Sequence, residues 1–299
     1  MAVTCTPGVQ IPSEIESKIG RLIQPLCMLP AVANQAVEIT QAPDGSVEEF
    51  SAVVERDAKL ATDILSLANS VMYSPGRPIL CLNQAVLRLG FSVCRNLIFA
   101  SGMTSLMSRL ELQEEWIRES LSRHGFTTAL LALKINRLLN AGFQGEEFTA
   151  GLIHDFGRTL AAVCFSTEFR QVDQLTFEEG SGNFSEDERR VWGTDHCELG
   201  AWFVAVNGLP DALVSAVRFH HTPEKAGAAG RLTALTAVSD HMANHLQRFG
   251  SAEGYQPDDC PFTAVLEQCG VARAGLRLRK SAVSLMEKTV AEVEELIGF

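Results

Sequence analysis

Ala150-Gly151-Leu152-Ile153-His154-Asp155-Phe156-Gly157-Arg158 is an apolar run that delivers an imidazole and a carboxylate side by side, with a glycine following at once. A neutral ring nitrogen and a carboxylate oxygen are the donor pair that suits a hard-to-borderline divalent metal such as Mn, Fe or Zn. The apolar residues around the pair predict one helix over residues 146–164. Its first turn carries Glu146 and Glu147, where acidic side chains complement the helix dipole. Gly157 leaves room for a second helix to approach closely.

Outward from this stretch, apolar residues recur three and four apart, the spacing of helices buried on one face. Upstream, residues 114–140 predict a long helix that carries His124 at mid-length and stops at Gly142. Downstream, helices carry His196, end near Gly208 and resume after Leu209-Pro210, the proline opening the helix that ends in His220 and His221. Residues 178–188 read as a flexible loop around Gly180-Ser181-Gly182-Asn183, and residues 226–230 as a small-residue linker. The helix of Asp240 follows over 231–249, then a loop over 250–261. A closing helix over 282–297 has Glu287, Glu292, Glu294 and Glu295 on a solvated face.

The N-terminal part reads the same way. Residues 13–27 place Ile15, Ile19, Leu22, Ile23 and Leu26 on one face. A helix over 31–42 leads into Pro43-Asp44-Gly45-Ser46, where Ser46 caps the next helix with Glu49 at the capping-box position. The stripe Leu60, Ile64, Leu67, Ala68 marks a further helix, a helix over 82–89 stops at Gly90, and a strongly apolar one spans 91–107. No stretch alternates with the period of two that marks a strand. The expected fold is all-α, two packed helical lobes over residues 1–110 and 111–299, with the boundary in the polar residues 107–113.

Composition narrows the function classes. The 299 residues include 25 Lys and Arg against 36 Asp and Glu, a net charge of −11 with the basic residues scattered. Phosphate backbones demand concentrated positive charge, so a nucleic-acid partner is not expected. No apolar run reaches membrane-spanning length, and the first residues lack a basic segment followed by an apolar one. A cytoplasmic protein without a membrane partner is therefore expected. The eight cysteines include no C-x-x-C pair and read as reduced, mostly buried thiols, among them Cys197, placed beside His196 where it can tune or poison a site. There is no G-x-S-x-G elbow, no glycine-rich phosphate loop and no internal repeat.

Several strings carry a resemblance: Leu29-Pro30-Ala31-Val32, Ile64-Leu65-Ser66-Leu67-Ala68-Asn69-Ser70 with Tyr73 beyond it, Ala85-Val86-Leu87-Arg88-Leu89-Gly90, the His154-Asp155 stretch, Asp195-His196-Cys197-Glu198-Leu199-Gly200-Ala201, Leu209-Pro210, His220-His221-Thr222-Pro223 and Val238-Ser239-Asp240. In this order, together with His124, they resemble the HDOD branch of the HD phosphohydrolase superfamily, the output domains of bacterial signalling proteins. The resemblance implies that His124, His154, Asp155 and Asp240 hold one divalent ion, and that His196, His220 and His221 hold a second with Asp155 bridging. Fe, Mn or Zn suits either.

The resemblance leaves two functions open. One is a regulatory protein that contacts a sensor kinase, a response regulator or a cyclase, with a vestigial or structural metal site; no receiver, kinase or cyclase domain is read in the chain, so its partner is expected to bind non-covalently. The other is a metal-dependent phosphohydrolase acting on a nucleotide or other phosphoester, with Arg158 as phosphate contact and no catalytic residue assigned. Three departures from hydrolytic relatives favour the first: residues 222–227 lack a Gly-Tyr-Pro string, Ser120 stands where some relatives carry a further glutamate, and Arg158 replaces a lysine with a rigid fork. The histidines and carboxylates can also bond one another as a polar core network. His241 is expected to lie lateral or exposed, and Asn69 to bond backbone where its helix ends.

Overall fold

The computed structural model describes residues 8–23, 29–69, 78–173, 175 and 184–297, and among them every extended regular element is a helix. The chain runs through α1 (Ser13–Ile23), α2 (Ala31–Gln41), α3 (Val47–Val54), α4 (Ala58–Asn69) and α5 (Leu82–Arg109). It continues through α6 (Glu115–Leu139), α7 (Glu146–Ile153), α8 (Phe156–Cys164), α9 (Phe169–Val172) and α10 (Phe184–Trp192). The last third holds α11 (His196–Val206), α12 (Asp211–Phe219), α13 (Gly230–Phe249), α14 (Phe262–Gln268) and α15 (Ala274–Ile297). The expected loop residues 178–183, together with Leu26, Ser70, Tyr73, Cys5 and Cys27, lie outside the described residues. No helix among the described residues is long and apolar enough to cross a membrane.

Local chemistry sets several boundaries. The Ser46 hydroxyl accepts from the Glu49 amide at 3.0 Å, starting α3. Asn69 closes α4 by bonding both backbone groups of Ile79, at 2.7 and 2.8 Å, which is the backbone role expected of it. Gly90 breaks α5 into two helices as expected, the glycine adopting the non-helical φ 79° and ψ 160° at the kink between them.

Several boundaries depart from the sequence reading. The helix expected over 146–164 is two, because Asp155 leaves helical geometry at φ −98°, ψ 10°. α6 ends where expected, but the residue that stops it is Asn140 in the left-handed region, φ 54°, and not Gly142; asparagine tolerates that conformation. Pro210 sits just outside α12 as its cap residue. Residues 184–188, read as loop, are the first turn of α10. The small-residue linker contains 3-10 turns at Pro223–Lys225 and Gly227–Ala229, and the closing helix starts earlier than expected.

Buried apolar residues form one large cluster from Val9 to Leu232, including Phe50, Ile98, Phe99, Leu160 and Leu199. A second cluster joins Leu131 and Ile135 of α6 to Leu235 and Met242 of α13, Leu266 of α14 and Met286 of α15. α6 and α7 cross closely: a Cβ on Gly125 would stand 2.8 Å from the Leu152 carbonyl oxygen, and one on Gly151 2.8 Å from the Ala129 Cα. That crossing sets His124 beside His154.

Candidate metal centre

Five stretches of chain bring the seven expected side chains together. His124 comes from the middle of α6, His154 and Asp155 from the break between α7 and α8, and His196 from the start of α11. His220 and His221 follow the end of α12, and Asp240 lies mid-way along α13. Asp155 Oδ2 is 3.7 Å from both His124 Nε2 and His154 Nε2. Those two nitrogens are 3.3 Å apart and lie 3.0 and 3.3 Å from Asp240 Oδ1.

The other oxygen of Asp155 faces a second group. Oδ1 lies 3.5 Å from His220 Nε2 and 3.7 Å from His196 Nε2. His196 Nε2 is in turn 3.2 Å from His221 Nε2 and 3.3 Å from Cys197 Sγ. His124, His154 and His220 are fully buried, whereas His221 is the exposed member.

The remaining ring nitrogens decide the tautomers. Nδ1 of His154 donates to the Gly151 carbonyl and Nδ1 of His220 to the Val217 carbonyl, each at 2.8 Å. A carbonyl oxygen only accepts, so these protons sit on Nδ1 and the neutral rings point Nε2 lone pairs at the cluster. His196 Nδ1 donates to the Glu188 carboxylate at 2.7 and 2.9 Å, with the same result. Lone pairs aimed at one another and at two carboxylates repel unless a cation or a proton lies between them.

The charges follow from this. Burial disfavours a proton on His154, but Asp155 and Asp240 outweigh it and hold its pKa above the ordinary imidazole value. Burial would raise both carboxylates, yet the neighbouring histidines, with Arg158 beside Asp155, hold both well below the usual range. Burial and the neighbouring imidazoles push His220 down. The Cys197 thiol is pushed up to about 11 by burial, with His196 opposing.

A divalent metal fits these residues. Ligands bound at about 2.0–2.2 Å around one ion stand roughly 3.0–3.6 Å apart, close to the spacing in both groups. His220 Nε2, fully buried, has no hydrogen-bond partner among the described residues. The donor set of imidazoles and carboxylates matches Zn, Fe or Mn.

Asp173, Glu188 and Trp192 support the cluster and were not singled out from sequence. Arg158 donates through Nη1 to Asp155 at 2.9 Å, and its Nε and Nη2 form a fork on the fully buried Asp173 at 2.6 and 2.7 Å. Glu188, also fully buried, accepts the His196 backbone N–H at 3.0 Å as well as its ring N–H. Asp195 caps α11 by accepting from the Glu198 amide at 2.8 Å, which fixes His196 in the first turn. Trp192 stacks on Phe165 and Phe169, anchoring α10 so that Glu188, one turn earlier, lies under His196. The spacing of Glu188 and Trp192 on one helix face was the available signal.

A model of the HDOD domain matches residues 26–223. The chain belongs to the HDOD domain family. The HDOD match ends before Asp240, which the fold nonetheless brings into the cluster. An uncharacterized protein of Treponema pallidum (strain Nichols) is 22% identical over 197 residues, 64% of this chain and 37% of that relative's own length. An HDOD domain protein of unknown function from Geobacter sulfurreducens superposes with TM-score 0.68 at 24% identity, over 95% of this chain and 98% of the other. A Shewanella amazonensis SB2B protein named "Putative phosphohydrolase" gives TM-score 0.63 at 19% identity over 93% and 98%. At these identities the likeness establishes the helical fold. In this HDOD chain the Ser120 hydroxyl accepts from Gln247 at 3.1 Å, so that position ties α6 to α13.

Two other features lie off the cluster. His241 is buried, not exposed, because Tyr255 covers it, its hydroxyl 3.0 Å from Nδ1. A cleft of about 360 Å3 opens at the far end of α7, lined by Leu89, Val93, Leu133, Asn136, Phe143 and Glu147 among others, and contains none of the cluster's side chains.

Proposed function

We propose that this HDOD protein is a regulatory interaction protein of bacterial signal transduction, whose helical body contacts a sensor kinase, a response regulator or a cyclase. In this reading the buried cluster holds a divalent metal that stabilises the body. His124, His154, Asp155 and Asp240 would hold one ion, and His196, His220 and His221 with Asp155 a second. When bound, the ion supplies the positive charge that two carboxylates and converging lone pairs demand. The protein's own part is orientation: Gly151, Val217 and Glu188 fix the rings, and Arg158 fixes Asp155. The two lobes of residues 1–110 and 111–299 belong to the same proposal.

One observation carries this choice over catalysis. Arg158, the expected phosphate contact, is buried and committed to Asp155 and Asp173, and the donor atoms face one another inside the helices. A substrate phosphate would have to displace that pairing. Capture of signalling proteins by the tagged chain from native lysate, with no turnover of a phosphoester panel in Mn, Fe or Zn, is the expected result. Turnover that depends on Asp155, with no signalling protein captured, would reverse the choice.

A second reading has its own support in Asp155, whose two oxygens face different histidine groups. A shared carboxylate is what a pair of ions about 3.5–4 Å apart needs for phosphoester hydrolysis. The same panel decides it.

A further inference from the structure

We infer that Cys197 is a thiolate ligand of the second group, adding one sulfur to its three imidazoles and bridging carboxylate, so that the site selects zinc-like ions over manganese. The inference rests on the metal reading above and goes beyond it, because the family resemblance assigns His196, His220 and His221 there, with Asp155 bridging, and no sulfur. Donor atoms of His196, Cys197, His220 and His221 all lie within 4.8 Å of one another. The sulfur stands 3.3 Å from His196 Nε2, and His196 Nε2 stands 3.2 Å from His221 Nε2. Tetrahedral ligands at about 2.0 Å for nitrogen and 2.3 Å for sulfur have spacings of that size.

Two independent observations point to a ligand between these atoms. His220 Nε2 is fully buried and unpartnered among the described residues, with its proton fixed on the other nitrogen. His196 Nε2 is likewise left as an acceptor by the Glu188 bond, so neighbouring Nε2 lone pairs meet near a buried thiol. Cys197 also lies in the first turn of α11, where the helix dipole favours an anion. On binding, the thiol releases its proton to solvent and the sulfur lone pair forms the metal bond. The two groups then differ in kind. Imidazole and carboxylate donors around Asp240 accept Mn, Fe or Zn, while a thiolate discriminates against Mn.

Cobalt(II) titration of the metal-free full chain tests this, because cobalt takes zinc's place and a thiolate bond adds a charge-transfer band in the near ultraviolet. The wild type should bind two equivalents, one of them with that band. Cys197→Ser should abolish the band and weaken that equivalent about tenfold or more, leaving the other unchanged. His154→Ala should do the reverse. Cobalt bound without the band overturns the thiolate assignment and leaves the metal centre standing. No cobalt bound overturns both. A band that survives in Cys197→Ser belongs to another thiol and also overturns the assignment. Far-ultraviolet circular dichroism checks that each variant folds, and Cys197→Ala repeats the test should the serine variant not fold.

Discussion

At the N-terminal end of α7, Asn136 and Glu147 are buried and their donors and acceptors match. Asn136 Nδ2 donates to Glu147 Oε1 at 2.7 Å and to the Phe143 carbonyl at 3.0 Å, its oxygen accepts the Phe143 amide at 3.2 Å, and Glu147 Oε2 accepts the Gly145 amide at 2.8 Å. At the C-terminal end of the same helix, His154 and Asp155 meet imidazole nitrogens and a second carboxylate at 3.3–3.7 Å. Both regions are buried and polar, so burial does not separate them. A matched network is complete as structure, while converging lone pairs define a place for a cation.

The comparison breaks most severely at Gly157. A Cβ there would stand 1.8 Å from the His196 carbonyl oxygen and 2.9 Å from the Gly200 nitrogen, both backbone atoms. Gly157→Ala must push α8 off α11 and part the two histidine groups; a loss of about 5 kcal/mol or more is expected, read as failure to yield folded protein. Normal yield and melting would show that the groups are not held by this contact.

Asp173→Ala comes next. It leaves the buried Arg158 fork uncompensated beside Asp155, and about 3–5 kcal/mol should be lost in denaturant unfolding. A near-neutral result would mean that Arg158 reaches solvent.

The matched end responds less. Glu147→Gln turns one acceptor into a donor facing a donor, costing roughly 1–3 kcal/mol. Burial raises the Glu147 carboxyl above its ordinary value against its hydrogen bonds. Its proton is thus held more tightly folded than unfolded, a contribution present at acidic pH and lost as pH rises through the raised native pKa. The gap between wild type and variant should therefore narrow as pH rises, and melting curves that diverge with pH would contradict the assignment.

The histidine-rich end was the more legible of the two from sequence. His154-Asp155, His124, His196, His220-His221 and Asp240 interrupt apolar helices, and a polar residue within an apolar stripe is visible as a pattern. Glu188 and Asp173 were not, since an acid in a polar stretch looks solvated until Trp192 and the Arg158 fork show which way the chain turns. The break at Asp155 was hidden because apolar periodicity runs through it, and only the packing of Gly157 against α11 requires the bend. Between α5 and α6 lies a connection over residues 110–114, and one apolar cluster has members on both sides of it.

The contrast along α7 is tested most directly by elemental analysis of protein purified without chelator, for the wild type, His154→Ala and Asp155→Asn. The wild type should carry one or two Fe, Mn or Zn per chain, and either substitution should strip most of it, because each removes a donor. Stripping the wild type should lower its melting temperature, by about 4 kcal/mol of stability if metal had stood a thousandfold above its dissociation constant. A metal-free wild type whose melting is unmoved by added Mn, Fe or Zn, with Asp155→Asn costing far less than His154→Ala, would show instead that both ends of α7 are hydrogen-bonded core.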